Sequence, residues 1–393
     1  MSSKKPIKNH SNKGLVILYF IGLIIAVSAA LPAYVQSNFL NQFISLETLS
    51  IFFVIANSLT ILAITIFPKA IKKLSNFFLT RFILILYGLS LLSLGLSNNP
   101  TSALFSIILF TISSNLLWIN MDVLVETFSN NSSTGRTRTI YFTFINFSWI
   151  ISPTLSSKLI HLGDYSLVFF VAAFLTLPVF LILASQKKIL KKEAKYQYEK
   201  IGTAIKKTWS NKNLRGTFFI ALLLQIFYNT AVIYLPIYLH QNLGINWSQL
   251  GIMFSIMLIP FLIFEIPAGI IADKYIGEKE IWFFGFFVLI LSLLLFFFVK
   301  TTNFWTWTII LFLSRIGAAL IEAMRESHFF KLVDAKDVSF INVFRIATPL
   351  GYIIGPLIAI AVLSFLPIHY IFLIIAIISL SGFYFIYSIQ DTK

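Results

Sequence analysis

Seven ionisable residues lie within or at the ends of long apolar runs of this 393-residue chain: Asp122, Glu126, Glu265, Arg315, Glu322, Glu326 and Arg345. A charge at such a position costs ~2.5–3.5 kcal/mol on insertion scales unless it meets a partner, water or a ligand. Glu265 and Arg345 each stand about two turns, roughly 10 Å, inside the same end of their runs. They could form a buried ion pair or line one polar cavity. Arg315 lies deeper, near the middle of its run, and is the candidate to bind a substrate anion or a coupling carboxylate. Glu322 shares its helix face but is too far along the axis to touch it. Asp122, Glu126, Glu322 and Glu326 fall near run ends, where helix-to-helix pairing is the competing explanation. Glu265 is the candidate proton-responsive group.

Uncharged polar residues extend this set. Gln225 and Asn229, four apart, put two amides on one helix face. Tyr228 between them could stack on a ligand, and Asn115 is a further candidate in the first half. Packing between helices is the alternative role for each. Catalytic and metal chemistry find no footing. There is no cysteine, and His10, His161, His240, His328 and His369 are scattered without metal-ligand spacing. No Gly-x-x-x-x-Gly-Lys-Ser/Thr phosphate loop is present, which disfavours an ATP-driven pump. No cofactor is expected.

These residues must be positioned by elements that live in lipid. The sequence is 58% hydrophobic, only 11% charged, and has a mean hydropathy of +0.87. The apolar runs are continuous rather than alternating, which favours helices over a barrel. Runs of about 20 residues, the length that crosses a bilayer core, number twelve. They begin near Gly14, Glu47, Asn76, Thr101, Thr139, Ser166, Gly216, Ser248, Ile281, Phe304, Val338 and His369. The first is too long for a signal-peptide core and is expected to be a retained helix.

The net charge of +15 lies between the runs, which points to anionic lipid rather than nucleic acid. Lys and Arg fall in alternate connections. One side holds Lys4, Lys5, Lys69, Lys73, Lys274 and Lys279, the central loop, and the loop cations Arg325, Lys331 and Lys336. The other holds only Lys158 and Lys300. The bias predicts cytoplasmic termini and a multi-pass protein of the plasma membrane.

The central basic stretch divides the chain into residues 1–185, a linker at 186–215 with the pattern of an amphipathic surface helix or of a flexible solvated tether, and residues 216–393. The halves echo one another. Ser114-Asn115 leads to Asp122 and Glu126, as Ser314-Arg315 leads to Glu322 and Glu326. Ser152-Pro153 answers Gly355-Pro356. Pro68 to Lys73 answers Gly269 to Lys274.

The run Gly269-Ile-Ile-Ala-Asp273-Lys274-Tyr-Ile-Gly277-Glu-Lys279 resembles the Gly-x-x-x-Asp-Arg-x-Gly-Arg-Lys signature of the major facilitator superfamily (MFS) of secondary transporters. The resemblance implies an all-α polytopic fold of twelve transmembrane helices in two pseudo-symmetric six-helix bundles, working by alternating access. It also implies a gating latch. In that latch Gly269 permits close helix approach, Asp273 accepts from a helix N-terminus, and Lys274 or Lys279 pairs with Glu322. The first-half copy has Pro68 and Lys72 where the pattern has glycine and aspartate. The second carries one extra residue before Gly277. Gly351-Tyr-Ile-Ile-Gly355-Pro356 combines small-residue packing with a helix kink.

The expected function is secondary transport of a small solute, with efflux of a lipophilic or amphipathic compound favoured and protons as the candidate coupling ion. The expected partners are that solute and the lipid bilayer, and a monomer is expected. The alternatives are a membrane sensor or scaffold that keeps the fold without transport, and a polytopic membrane enzyme. The short outer loops, without paired carboxylates or histidines, disfavour the enzyme.

Overall fold

The computed structural model describes residues 6–128, 134–190, 201–333 and 338–392, and no strand occurs among them. Eleven helical segments of the described residues are long and apolar enough to cross a bilayer. One of them, Thr143–Ser185, has 43 residues. That is about 65 Å of helix, twice the ~30 Å bilayer core. Its path turns over at Gly163 and Asp164, where Asp164 adopts φ 65°. The Asp164 carboxylate accepts from the next backbone N–H at 2.7 Å, the local bond that lets aspartate hold this conformation. This segment supplies the fifth and sixth crossings, which brings the total to the expected twelve.

Short polar side chains set where several spans begin. Asn211 accepts from the N–H groups of Asn213 (2.9 Å) and Leu214 (3.2 Å) at the start of the seventh span. Asn246 and Asn303 do the same for the eighth and tenth spans, at 2.9 and 3.0 Å. Each cap satisfies N–H groups that the helix leaves free. The outward faces are apolar: Phe283, Phe284, Phe287 and Leu291 of the ninth span are all exposed, as lipid-facing residues must be.

Contacts divide the chain into two compact units, Met1–Val35 with Leu62–Lys195, and Gln36–Ile61 with Tyr196–Lys393. In the first unit, serine hydroxyls of the fifth span reach carbonyls of the first. Ser148 donates to Leu23 at 3.1 Å and Ser156 to Leu31 at 2.6 Å. Ser28 donates to the Ala172 carbonyl at 2.7 Å and meets the Tyr87 hydroxyl at 3.2 Å.

In the second unit, the ninth and tenth spans touch at two glycines. A Cβ on Gly317 would lie 2.6 Å from the Gly285 carbonyl oxygen. Residues 36–61 join this unit by polar contacts to the seventh span, Lys212–Asn242. Ser50 and Tyr234 share a hydrogen bond of 2.7 Å. Gln241 accepts from Asn41 at 3.0 Å and donates to Asn38 at 3.2 Å.

The seventh span is not a uniform helix. Thr230–Tyr234 and Tyr238–Asn242 are wide turns in which an N–H reaches back five residues. Pro236 follows the first of them and has no N–H to give the carbonyl of Val232. A third wide turn, Ala272–Ile276, ends the eighth span.

Residues 390–392 strap three helix ends of the second unit together. The Gln390 N–H donates to Asn213 at 3.0 Å, and His328 Nε2 donates to the Gln390 carbonyl at 3.1 Å. That leaves His328 Nδ1 facing the Thr217 hydroxyl at 2.8 Å. Asp391 accepts from the N–H groups of Glu278 (3.0 Å) and Lys279 (3.1 Å). Thr392 donates its hydroxyl to buried Glu278 at 2.6 Å, and Lys331 pairs with the same carboxylate at 2.8 Å.

Within the basic linker, Ile201–Ser210 is a helix that buries Ala204 and Thr208 and exposes Lys206 and Lys207. Trp209 packs on Phe218 with ring centroids 5.2 Å apart. Residues 191–200 of the central basic stretch lie outside the described residues.

Candidate functional site

The tenth span, Phe304–Leu332, carries Arg315, Glu322, Arg325 and Glu326 on one helix. The Tyr228 hydroxyl of the seventh span donates to Glu322 in a short bond. Arg325 donates to Glu322 at 3.0 Å and also lies 3.6 Å from Glu326. Arg345 grips Glu326 with both terminal nitrogens, at 2.8 and 3.2 Å. Such two-pronged charged bonds are among the strongest and most directional available to side chains. The result is a chain, Tyr228–Glu322–Arg325–Glu326–Arg345, that links the seventh, tenth and eleventh spans. Its two carboxylates and two guanidiniums sum to zero charge.

Arg315 stands apart from that balance. It is 1% exposed, and its guanidinium carbon lies 5.1 Å from the Phe227 ring centroid and 5.8 Å from that of Tyr228. Its Nε and Nη1 are buried without a hydrogen-bond partner, as are both amide atoms of Asn229.

Several expectations change here. The carboxylate paired with Arg345 is Glu326 rather than Glu265, which is half-buried on the eighth span. Glu322 is engaged by Tyr228 and Arg325 and not by a lysine of the loop motif. Lys279 instead sits 6.0 Å from the Tyr387 ring centroid, and Lys274 is exposed. Gly269 mediates no close approach: a Cβ there would meet nothing within 4 Å. The Asp273 side chain lies outside the described residues, and so do those of Glu126, Pro68 and Lys72.

The acceptor found at the start of the ninth span is Asp391. Gly277, at φ 96°, makes the turn beside it, and a Cβ there would crowd the Asp391 carboxyl carbon at 3.0 Å. A left-handed φ and this tight contact both favour glycine.

Gly351 and Gly355 do lie at a close helix contact. A Cβ on Gly351 would sit 2.4 Å from Gln225 Cβ, and one on Gly355 2.2 Å from Asn229 Oδ1. Pro356 lies within the helix Ala347–Leu363, and the helical bonding of the eleventh span is interrupted earlier, beside Ile346, whose own backbone stays helical. Pro349 accounts for it, because it has no N–H to bond the carbonyl of Arg345.

Asn115 belongs to the other unit, where its amide donates to its own helix at Thr111 (2.9 Å). Asp122 is half-buried there. Arg325, read from sequence as a loop cation, is buried and central. The signal for it was its place three residues after Glu322, the spacing of a same-face ion pair.

The Major Facilitator Superfamily model matches residues 14–257 and 217–392. The chain belongs to the Major Facilitator Superfamily. Superfamily membership makes it a multi-pass membrane protein of a transporter family, and the overlapping matches reflect its two repeats.

No curated protein matches it significantly. Two solved structures of a bacterial homologue of the human lysosomal transporter Spinster share its fold. The inward-facing, unoccupied form has a TM-score of 0.70 at 13% identity, covering 92% of this chain and 84% of that one. The inward-facing, occupied form has a TM-score of 0.72 at 11% identity, covering 98% and 97%.

Proposed function

We propose that this superfamily member is a secondary active transporter that moves a small lipophilic or amphipathic solute by alternating access, outward from the cell, with protons as the coupling ion. The proposal takes residues 1–185 and 216–393 as the moving halves and 186–215 as their cytoplasmic tether. It places a monomer in the plasma membrane with both termini inside.

The observation that carries it is the ion network of the second unit. Tyr228, Glu322, Arg325, Glu326 and Arg345 place polar groups of three spans in bonding contact, with the ion pairs of the tenth and eleventh spans at 2.8–3.6 Å. Charges in spanning segments are costly, and a network that can exchange partners gives a helix bundle two discrete arrangements. Alternating access needs that property. Aromatic rings around it, Phe227, Tyr228 and Phe261 among them, favour solutes with an apolar body.

The test is flux. The purified chain in proteoliposomes is screened against chemically diverse solutes, with and without an imposed pH gradient. Accumulation that follows the gradient supports the reading. Ligand binding without movement of any solute indicates a sensor instead. Glu265→Gln is the probe for coupling: unchanged pH dependence of flux in that variant would remove Glu265 from the proton path.

A further inference from the structure

Among the buried charges described in the second unit, Arg315 is the one without a counter-charge. Glu322 and Glu326 are shared between Arg325 and Arg345, so that cluster is already neutral. No carboxylate of the described residues pairs with Arg315, and its Nε and Nη1 have no acceptor. An arginine does not escape by losing its proton. A buried, unmet donor costs ~1–3 kcal/mol, more when charged.

The aromatic neighbours offset part of this. Phe227 and Tyr228 lie 5.1 and 5.8 Å from the guanidinium carbon, within the range of cation–π attraction. Ring faces accept no N–H strongly, so the Nε and Nη1 donors stay unmet. Position adds to the argument. Residue 315 is eleven residues into the helix that begins at Phe304, about 17 Å along its axis, well away from both ends.

We propose that Arg315 is the head-group site for an organic monoanion, a carboxylate attached to an apolar body that packs on Phe227 and Tyr228. The proposal rests on the transporter reading for its physiological meaning and names the substrate class. A carboxylate supplies two acceptor oxygens for planar guanidinium donors and the missing negative charge. A neutral analogue supplies neither, and a cation adds repulsion.

The test uses the full chain in lipid nanodiscs with three probes of equal chain length: octanoate, octanol and octyltrimethylammonium. Binding is read by tryptophan fluorescence and by the shift in unfolding temperature. Octanoate is expected to bind about 10–100-fold more tightly than octanol, the ratio that ~1.5–3 kcal/mol of charged hydrogen bonding gives. Arg315→Gln is expected to abolish that preference.

If Arg315→Gln does not fold, the wild-type ranking and Arg315→Lys decide. The lysine keeps the charge without the planar pair of donors, so it should keep the preference over the cation and lose most of that over octanol. Equal wild-type binding of octanoate and octanol, or an octanoate preference that survives Arg315→Gln, overturns the proposal. Arg315-dependent octanoate binding without octanoate flux in proteoliposomes would uphold the site and defeat transport. Flux of other solutes that ignores Arg315 would do the reverse.

Discussion

In the first unit, Ser148 and Ser156 of the fifth span donate to carbonyls of the first span, and Ser28 reaches Tyr87 and Ala172. In the second unit, Glu322, Arg325, Glu326 and Arg345 bind one another across the tenth and eleventh spans. Neutral hydroxyl bonds are worth ~0.5–1.5 kcal/mol net, while bonds to charged groups reach ~1.5–3. Removing one partner of a buried ion pair costs more still. Among the described residues, then, the first unit is fastened by many weak and replaceable links. The second depends on a few strong ones that fail together.

The sharpest way to break this contrast is Glu326→Ala. It removes the carboxylate that Arg345 grips with both prongs and weakens the hold on Arg325, so stability should fall by about 3 kcal/mol, the low end for a buried pair because Glu326 is only partly buried. Thermal unfolding in detergent measures the loss. Adding Arg345→Ala should recover part of it, and a double-mutant cycle gives the coupling. Next comes Asp391→Ala, which removes the acceptor at the start of the ninth span and should cost about 1 kcal/mol. Amide hydrogen exchange at Glu278 and Lys279 should rise with it.

Ser156→Ala in the first unit should cost about 0.5 kcal/mol, the low end for a single neutral hydroxyl bond. A loss as large as that of Glu326→Ala would erase the comparison.

The smallest effect concerns acid. Burial first, and the nearby Lys300 second, hold the His369 imidazole below its ordinary value of 6.5. Tyr238, Phe297 and Tyr370 also pack on this ring. The folded value lies below the unfolded one, so protonation favours unfolding. The stability contributed is full above pH 6.5 and drains as the pH falls through that value toward the folded one. His369→Gln should flatten the dependence of unfolding temperature on pH between about 7 and 5.

The spans were legible because the bilayer sets one length for all of them. The hairpin at Gly163–Asp164 was legible too, since a 43-residue apolar stretch cannot cross only once. The site was only partly so. Arg315 stood out by depth alone. Arg325 did not, because counting basic residues at run ends treats every such cation as loop charge, and one helical turn decides whether it is inside. Asp391 was invisible for another reason. The N–H groups it binds, on Glu278 and Lys279, lie 113 and 112 residues away, and no local pattern encodes that pairing. Gly269 shows the converse error, because glycine permits a close approach without requiring one.

The wide turns of the seventh span have a mechanical consequence. Each holds one residue more than an ordinary helical turn, and one residue is worth about 100° of rotation. Rewinding the first of them into ordinary helix, with no residue removed, would rotate all that follows by that amount. Tyr234 would swing off Ser50, and Gln241 off Asn38 and Asn41. The facing of the span's far end thus hangs on whether these turns are wide or regular.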